Sequence, residues 1–240
     1  MNRKLDLSSK SNNNSRQWIG ILFLLIISGE VYLPIITQEF CNWDDPKHIR
    51  VVWKPSWERA YRIITDFDLR YTNVTYYSPI HFLSLMADQS LFPHAVTPQP
   101  WIAKIMNVFF HILNAVLVFY LMLHLGIGKR ATLIGSLIFA IHPLQVGTVA
   151  WIAERKNILA AFFYLLGLIS FIKYLKLAKS THLFLVGLFF VAGLLSKPTA
   201  IMFPLTALLL ILVIKPVQRS DQDVFMFLVI LLGISIGWGL

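Results

Sequence analysis

Long apolar segments separated by short polar breaks dominate this sequence and constrain its fold more than any other feature. Hydrophobic residues make up 57% of the 240 residues and charged residues 14%, whereas soluble domains contain roughly 45–50% and 25%. A helix satisfies its own backbone hydrogen bonds in lipid, and a lone strand does not. We therefore predict an all-α integral membrane protein, a multi-pass helical bundle with about seven transmembrane helices. The predicted spans are Trp18–Ile36, Trp101–Leu125, Ala131–Ile141, Ile158–Ile172, Leu183–Leu195, Ala200–Ile214 and Val224–Leu240.

The distribution of basic residues predicts the orientation of these spans. With the N-terminus in the cytoplasm, every short connection assigned to the inside is basic, as the positive-inside rule expects. These inner basic residues are Arg3, Lys4, Lys10, Arg16, Lys129, Arg130, Lys173, Lys176, Lys179, Lys215 and Arg219. They do not cluster as a nucleic-acid site requires, so the formal charge of +9 does not indicate a nucleic-acid partner. Residues 1–16 are predicted to be a disordered cytoplasmic tail, and residues 17–240 a membrane domain whose first outer loop covers 37–100.

That outer loop contains two adjacent carboxylates, Asp44 and Asp45, between Trp43 and Pro46. A carboxylate held in a polar loop at a membrane surface is a candidate general base, which removes a proton from an attacking hydroxyl. Asp and Pro also favour turns for backbone reasons alone. Both interpretations are open at this point.

The second predicted span has one polar helical face. Lys104, Asn107, His111 and Asn114 follow one another at spacings of three, four and three residues, which places them on the same side of a helix. Such a face either lines a polar cavity or forms hydrogen bonds between packed helices. The spacing does not choose between these alternatives.

Two predicted spans, Ala131–Ile141 and Leu183–Leu195, are shorter than the bilayer core requires. Their outer ends, at His142-Pro143 and Ser196-Lys197, would then lie in a recess below the surface. The alternative is that each helix continues past its polar residue. Cations also occur on the outer side, at Arg155, Lys156 and Lys197. They indicate either a phosphate site or anchors at lipid headgroups.

Several motifs occur in order along this predicted topology. They are Trp43-Asp44-Asp45, Tyr76-Tyr77-Ser78-Pro79, Asn107 with His111, Phe139-Ala140-Ile141-His142-Pro143, the segment from Val149 through Glu154-Arg155-Lys156 to Leu159, and Leu195-Ser196-Lys197. Together they resemble the GT-C class of lipid-linked-sugar glycosyltransferases, most closely the transmembrane and TPR-repeat O-mannosyltransferases and their bacterial relatives. The sequence departs from that family's pattern at Ser78, where Arg is common, and at Pro198, where an acid is common.

The resemblance implies a transferase that moves a mannose-like sugar from a polyprenyl- or dolichyl-phosphate donor to a protein or glycan hydroxyl on the outer or lumenal side. It implies catalytic and acceptor-binding roles for Asp44 and Asp45, with Asp44 slightly favoured as the base. Donor-phosphate binding is implied for Arg155, Lys156, Lys197 and His142, and a cavity-lining position for Asn107, His111, Tyr77 and Glu154. It implies no cofactor besides the lipid-linked donor, and we predict no metal site.

Two other functions are compatible with the sequence. A transporter or flippase of a lipid-linked or small polar substrate also needs buried polar stripes and broken helices. A non-catalytic, truncated scaffold of the same fold is favoured by the end of the sequence inside an apolar segment, which we read as an incomplete C-terminus. The protein is predicted to lie in the inner membrane of a bacterium or the endoplasmic reticulum of a eukaryote.

Overall fold

A computed structural model describes residues 3–41, 43–91, 99–214 and 227–234, with side chains described from residue 17 and without that of Val213. Within these ranges the regular structure is helical, with no strand. The α-helices are α1 (Arg3–Tyr32), α2 (Asp45–Val52), α3 (Trp57–Thr65), α4 (Pro79–Ser90), α5 (Pro100–His124), α6 (Lys129–Ile141), α7 (Pro143–Ala150), α8 (Arg155–Leu177), α9 (Ser180–Leu194) and α10 (Phe203–Val213). Short 3₁₀ helices occur at Leu33–Ile35, Ile152–Glu154 and Pro198–Met202.

Three described segments are long and apolar enough to cross a membrane: Gln17–Ile35, Pro100–His124 and Ile152–Leu177. A fourth is formed if α6 and α7, which are bent by 52°, are counted as one broken span. The segments Ser180–Leu194 and Pro198–Leu212 are apolar but shorter. The all-helical membrane fold is therefore confirmed, and the count of seven stays a prediction. The predicted last span is described only over residues 227–234, and the predicted inner cations Lys215 and Arg219 lie outside the described residues.

The break between α6 and α7 has a local cause. Proline disfavours helical backbone in the residue before it, and His142 accordingly has an extended conformation with φ −60° and ψ 132°. The His142 Nδ1 accepts a hydrogen bond from the Leu144 backbone N–H (3.2 Å) and so caps the new helix. The chain continues as a second helix past His142 instead of emerging as a loop there. At the start of the sequence, residues 3–16 belong to α1; the disordered cytoplasmic tail stays a prediction.

The α8 helix packs against both α9 and α5. Its C-terminal half contributes to the largest apolar cluster of the described residues, which includes Phe171, Phe190 and Phe203. Gly167 allows this packing, because a Cβ at that position would come within 2.8 Å of the Phe203 ring. The position of α8 therefore depends on a close contact with the segment at the start of α10.

The outer loop folds into a small helical cap made of α2, α3 and α4. Ile49 and Val52 of α2, Ile63 of α3 and Phe82 of α4 form one buried cluster with Ile152, which precedes α8. The start of α4 is also tied to the end of α9, since the Ile80 N–H donates to the Leu195 carbonyl (3.2 Å). The cap thus brings the acid pair of the outer loop to the first turn of α8.

Candidate active site at the outer cap

The polar face of α5 is buried and bonds to backbone carbonyls. Its donors pair with the carbonyls as follows: Lys104 with Glu39 (2.7 Å), Asn107 with Val149 and Trp151 (3.1 and 3.2 Å), His111 with Ala140 (2.8 Å) and Asn114 with Ile158 (2.9 Å). Several of these carbonyls lie at helix ends, which leave such groups without partners inside the helix. These contacts correspond to the second alternative given by the sequence, in which the polar face forms hydrogen bonds between packed helices. The cavity-lining position of Asn107 and His111 stays a prediction.

Asp45 is completely buried at the start of α2. Its Oδ1 accepts a hydrogen bond from the Ala153 N–H (2.8 Å) and its Oδ2 from the Cys41 N–H (3.0 Å). Burial raises the pKa of the Asp45 carboxyl, although these backbone donors and the Lys104 charge oppose the rise. The side chain therefore ties the outer loop to the turn that precedes α8.

Asp44, one residue earlier, is only partly buried. Its backbone carbonyl accepts from the His48 N–H (3.0 Å) at the start of α2. The Asp44 charge acts on two neighbouring groups: it partly opposes the lowering of the His48 pKa by burial, and it adds to the rise that burial causes in the pKa of Tyr76. The two adjacent acids thus have different surroundings: the Asp45 carboxylate is bonded to backbone N–H groups, and Asp44 lies near titratable side chains.

The three predicted outer cations also differ in their burial and contacts. Arg155 is completely buried. Its guanidinium pairs with the Asp88 carboxylate and donates to the Asn107 Oδ1 (2.7 Å), the Ala103 carbonyl (2.6 Å) and the Ser84 carbonyl (3.3 Å). These bonds join α8 to both α4 and α5. The phosphate-binding role of Arg155 stays a prediction, and the contacts describe an anchor.

Lys156 and Lys197 are partly accessible, and both lie close to the Glu154 carboxylate. Glu154 lies 3.4 Å from the Lys156 Nζ and 3.9 Å from the Lys197 Nζ. Lys197 also contacts the side chain of Asn157, one helical residue after Lys156. Burial lowers the pKa of Lys197, and the Glu154 charge opposes this. Two cations from different connections are thus brought together at the first turn of α8.

Tyr76 lies next to Lys156. The Lys156 Nζ lies 5.8 Å from the Tyr76 ring centroid, within the range of a cation–π interaction. Burial raises the pKa of the Tyr76 hydroxyl, while Lys156 acts in the opposite direction. Lys156, Tyr76 and Asp44 are therefore electrostatic neighbours, and we call the set Asp44, Tyr76, Glu154, Lys156, Asn157 and Lys197 the outer cluster.

Two other predicted site residues have contacts of a different kind. His142 is exposed and caps α7. The Tyr77 hydroxyl donates to the Ile64 carbonyl at the end of α3. The phosphate contact of His142 and the cavity position of Tyr77 stay predictions. The structure brings together Asp44, Glu154, Lys156 and Lys197 of the predicted set.

Sequence reasoning missed several residues of this region, namely His48, Tyr76, His81, Asp88 and Asn157. His48 carried a usable signal, because it follows Asp44 by four residues and so shares its helical face. Tyr76 and Asn157 are immediate neighbours of residues already selected. Asp88 and His81 had no such signal, since their partners are remote in sequence.

A groove of about 300 Å³ begins at Asn157 and runs between α8 and the start of α10. Its lining is mainly apolar and comprises Asn157, Ala160, Ala161, Tyr164, Thr199, Ala200 and Met202. The polar end of the groove is therefore part of the outer cluster. Among the described residues, no group of three or more His, Cys, Asp or Glu side chains is arranged to hold a metal ion.

Comparison with known proteins identifies the family. The family model described as dolichyl-phosphate-mannose-protein mannosyltransferase matches residues 97–238, more than half of the chain. The chain belongs to this family. It is thereby related to the O-mannosyltransferases of the GT-C type, as the motifs predicted. The matched range contains Glu154, Lys156 and Lys197 and begins after the acid pair.

Two named relatives belong to the same group of mannosyltransferases. The chain is 29% identical to the mouse protein O-mannosyl-transferase TMTC3 over 75 residues, which is 31% of this chain and 8% of the relative. It is 31% identical to the Drosophila melanogaster protein O-mannosyl-transferase Tmtc1 over 122 residues, which is 50% of this chain and 14% of the relative. The chain thus spans a small part of these longer proteins. No solved structure matches it.

Proposed function

We propose that this family member transfers a mannose-like sugar from a polyprenyl- or dolichyl-phosphate donor to a hydroxyl of a protein or glycan on the outer side of the membrane. The observation that carries the proposal is the outer cluster, in which the partly accessible Asp44 and Lys156 both act on Tyr76, and Lys156 and Lys197 both lie close to Glu154. A lipid-phosphate sugar needs cations for its phosphate, and an attacking hydroxyl needs a base. The cluster supplies both at the mouth of an apolar groove.

Asp44 acts as the general base in this proposal. The acceptor O–H gives its proton to the Asp44 carboxylate, and its oxygen forms a bond to C1 of the sugar. The bond between C1 and the phosphate oxygen breaks, and its electron pair leaves with the lipid phosphate. Asp45 supports this step by tying the loop to the turn before α8, since its oxygens already accept backbone N–H groups.

Lys156 and Lys197 bind the donor phosphate and stabilise the charge that develops on it as C1 is released. Glu154 holds the two ammonium groups close together while the phosphate is absent. Arg155 orients this turn through its buried bonds to α4 and α5. The first isoprenoid units lie in the groove between Asn157 and Met202, whose lining is mostly apolar.

The orientation follows from the charge distribution. The N-terminus lies in the cytoplasm, and the cap lies on the opposite side, because the inner connections are basic. The α9 helix, α10 and the segment at 227–234 complete the predicted crossings. The membrane is the inner membrane in a bacterium and the endoplasmic reticulum in a eukaryote.

Transfer from radiolabelled polyprenyl-phosphate mannose by membranes containing this chain tests the proposal. Asp44→Asn, Lys156→Gln and Lys197→Gln should each abolish or strongly reduce transfer. Arg70→Gln removes an exposed cation of the same loop and is the matched control. Transfer at the level of empty membranes, with several donor sugars, would overturn the proposal for this chain.

The bent α6–α7 pair favours a second candidate, a transporter or flippase, because broken helices line the substrate paths of transporters. A transporter does not need a carboxylate for covalent chemistry. Movement of a fluorescent lipid phosphate across proteoliposomes that is unaffected by Asp44→Asn would support this candidate. A chain that neither transfers nor moves the lipid would instead be a non-catalytic scaffold.

A further inference from the structure

Two buried histidines of the cap interact electrostatically with residues of the outer cluster. His48 of α2 is 4% exposed and His81 of α4 is 0% exposed. The His48 Nδ1 is 2.8 Å from the His81 Nε2, and the rings meet edge to face with their centroids 5.0 Å apart. The Nδ1 of His81 has no hydrogen-bond partner. This pair has no part in the chemistry described so far.

Burial is the main reason that both rings are neutral: it lowers the pKa of His48 to about 4 and that of His81 well below its usual value. Surrounding charges add to this effect. Lys156 of α8 and Lys47 of α2 act against a proton on His48, and Asp44 acts in its favour. His48, Arg155 and Lys156 act against a proton on His81.

Neutrality and burial together select one arrangement of the protons. A separation of 2.8 Å requires that one of the two facing nitrogens donates and the other accepts. A proton on the His81 Nδ1 would be a buried donor without an acceptor, which is unfavourable. The favoured arrangement therefore has His81 donating from Nε2 to the His48 Nδ1. His48 then carries its own proton on Nε2, at the opposite edge of the ring.

We propose that the His48–His81 pair is a positioning device for Asp44, in which the bond to His81 fixes the His48 ring, with its proton on Nε2, one helical turn after that acid; this inference rests on the proposed role of Asp44 as base. Asp44 and His48 are one helical turn apart, and the His48 N–H bonds to the Asp44 carbonyl. Asp44 acts electrostatically on the His48 ring, and a neutral ring adds no charge that would repel Lys156. His81 sets the tautomer and touches neither substrate.

The pair also connects the segment that carries Asp44 with the segment that leads to Lys197. His81 follows Ile80, whose N–H bonds to the Leu195 carbonyl two residues before Lys197. His48 follows the base by four residues. The bond between the two rings therefore links the element that carries Asp44 to the element that leads to Lys197. Among the described residues, no group of three or more His, Cys, Asp or Glu side chains that could hold a metal ion includes this pair.

The first test does not depend on activity. The full chain is purified in detergent with ¹⁵N-labelled histidine, and NMR measures which nitrogen of each ring is protonated; His48→Gln and His81→Gln variants assign the signals. We expect His48 protonated on Nε2 and unprotonated on Nδ1, and unchanged from pH 8 to about pH 5. A proton on the His48 Nδ1, or titration near pH 6.5, would overturn the proposal.

The second test uses sugar transfer. His81→Phe removes the donor at similar volume and should lower kcat about 10- to 100-fold, with KM for the donor within about twofold, because a misplaced catalytic group affects the chemical step. His81→Gln restores a donor at the same place and should recover most of kcat. His182→Phe, in α9, is the matched control.

The outcomes separate the two proposals. An active wild-type chain with unchanged kcat in His81→Phe would overturn the positioning role and leave the transferase intact. A wild-type chain without transfer would overturn the transferase, and the tautomer measurement would still decide the arrangement of the pair.

Discussion

The Arg155 guanidinium and the Asp88 carboxylate form a buried ion pair between the first turn of α8 and the end of α4. Their side chains are 0% and 4% exposed. Three further hydrogen bonds are donated by Arg155 to Asn107, Ser84 and Ala103. The pair joins the outer cap to the membrane bundle and thereby sets the position of the neighbouring residues Glu154 and Lys156.

Removing one member of this pair should destabilise the protein strongly. We expect Arg155→Met and Asp88→Leu each to cost about 3–5 kcal/mol, because each leaves an uncompensated buried charge. The double variant should be more stable than either single variant. Denaturant unfolding in detergent measures these differences, and Arg62→Gln, which removes an exposed ion pair with Glu58, should change stability by less than about 1 kcal/mol. Single variants as mild as this control would contradict the anchor role.

The same substitution should affect stability at Asp45 and sugar transfer at Asp44. Asp45→Asn should lower the free energy of unfolding by about 1–3 kcal/mol, because one backbone N–H loses its acceptor. Asp44→Asn should change stability by less than about 0.5 kcal/mol and lower transfer about 100- to 10,000-fold. Unfolding and transfer are measured on the same preparations. Equal stability losses in both variants would refute the difference between the two positions.

Stability should fall in mild acid because of the histidine pair. The native pKa of His48 is about 4 and its ordinary value is 6.5, so the unfolded chain takes up the proton first as the pH falls. The stability that His48 contributes is fully present above pH 6.5 and is lost as the pH falls toward 4. By pH 5 the loss amounts to about 2 kcal/mol. His48→Gln should flatten this part of the stability curve, measured from pH 7.5 to 5. The same slope in both proteins would rule out His48 as its source.

The close contact at Gly167 should not tolerate a methyl group. A Cβ there would lie 2.8 Å and 3.2 Å from two carbons of the buried Phe203 ring, so Gly167→Ala should cost about 1–3 kcal/mol through overpacking. Gly187→Ala in α9 is the control, since a Cβ there meets nothing within 4 Å. Thermal unfolding compares the two. A Gly167→Ala protein as stable as the control would show that the Phe203 ring moves aside.

The polar face of α5 illustrates how far sequence reasoning reached. Spacing alone placed Lys104, Asn107, His111 and Asn114 on one side of a helix. Their acceptors are carbonyls 29 to 65 residues away along the chain, and no local pattern identifies them. The same holds for His81, whose partner His48 lies 33 residues earlier. Periodicity is a property of one helix, whereas these bonds depend on how several helices pack.

Hydropathy and helical spacing were sufficient to predict an all-helical membrane protein, and its ordered motifs indicated the mannosyltransferase family. Which member of each adjacent pair, Asp44–Asp45 and Arg155–Lys156, is buried was decided only by the tertiary structure. Consecutive helical residues point about 100° apart, so Arg155 reaches inward to Asp88 while Lys156 faces Tyr76. The packing of the cap against α5 and α8 determines which of these directions is buried.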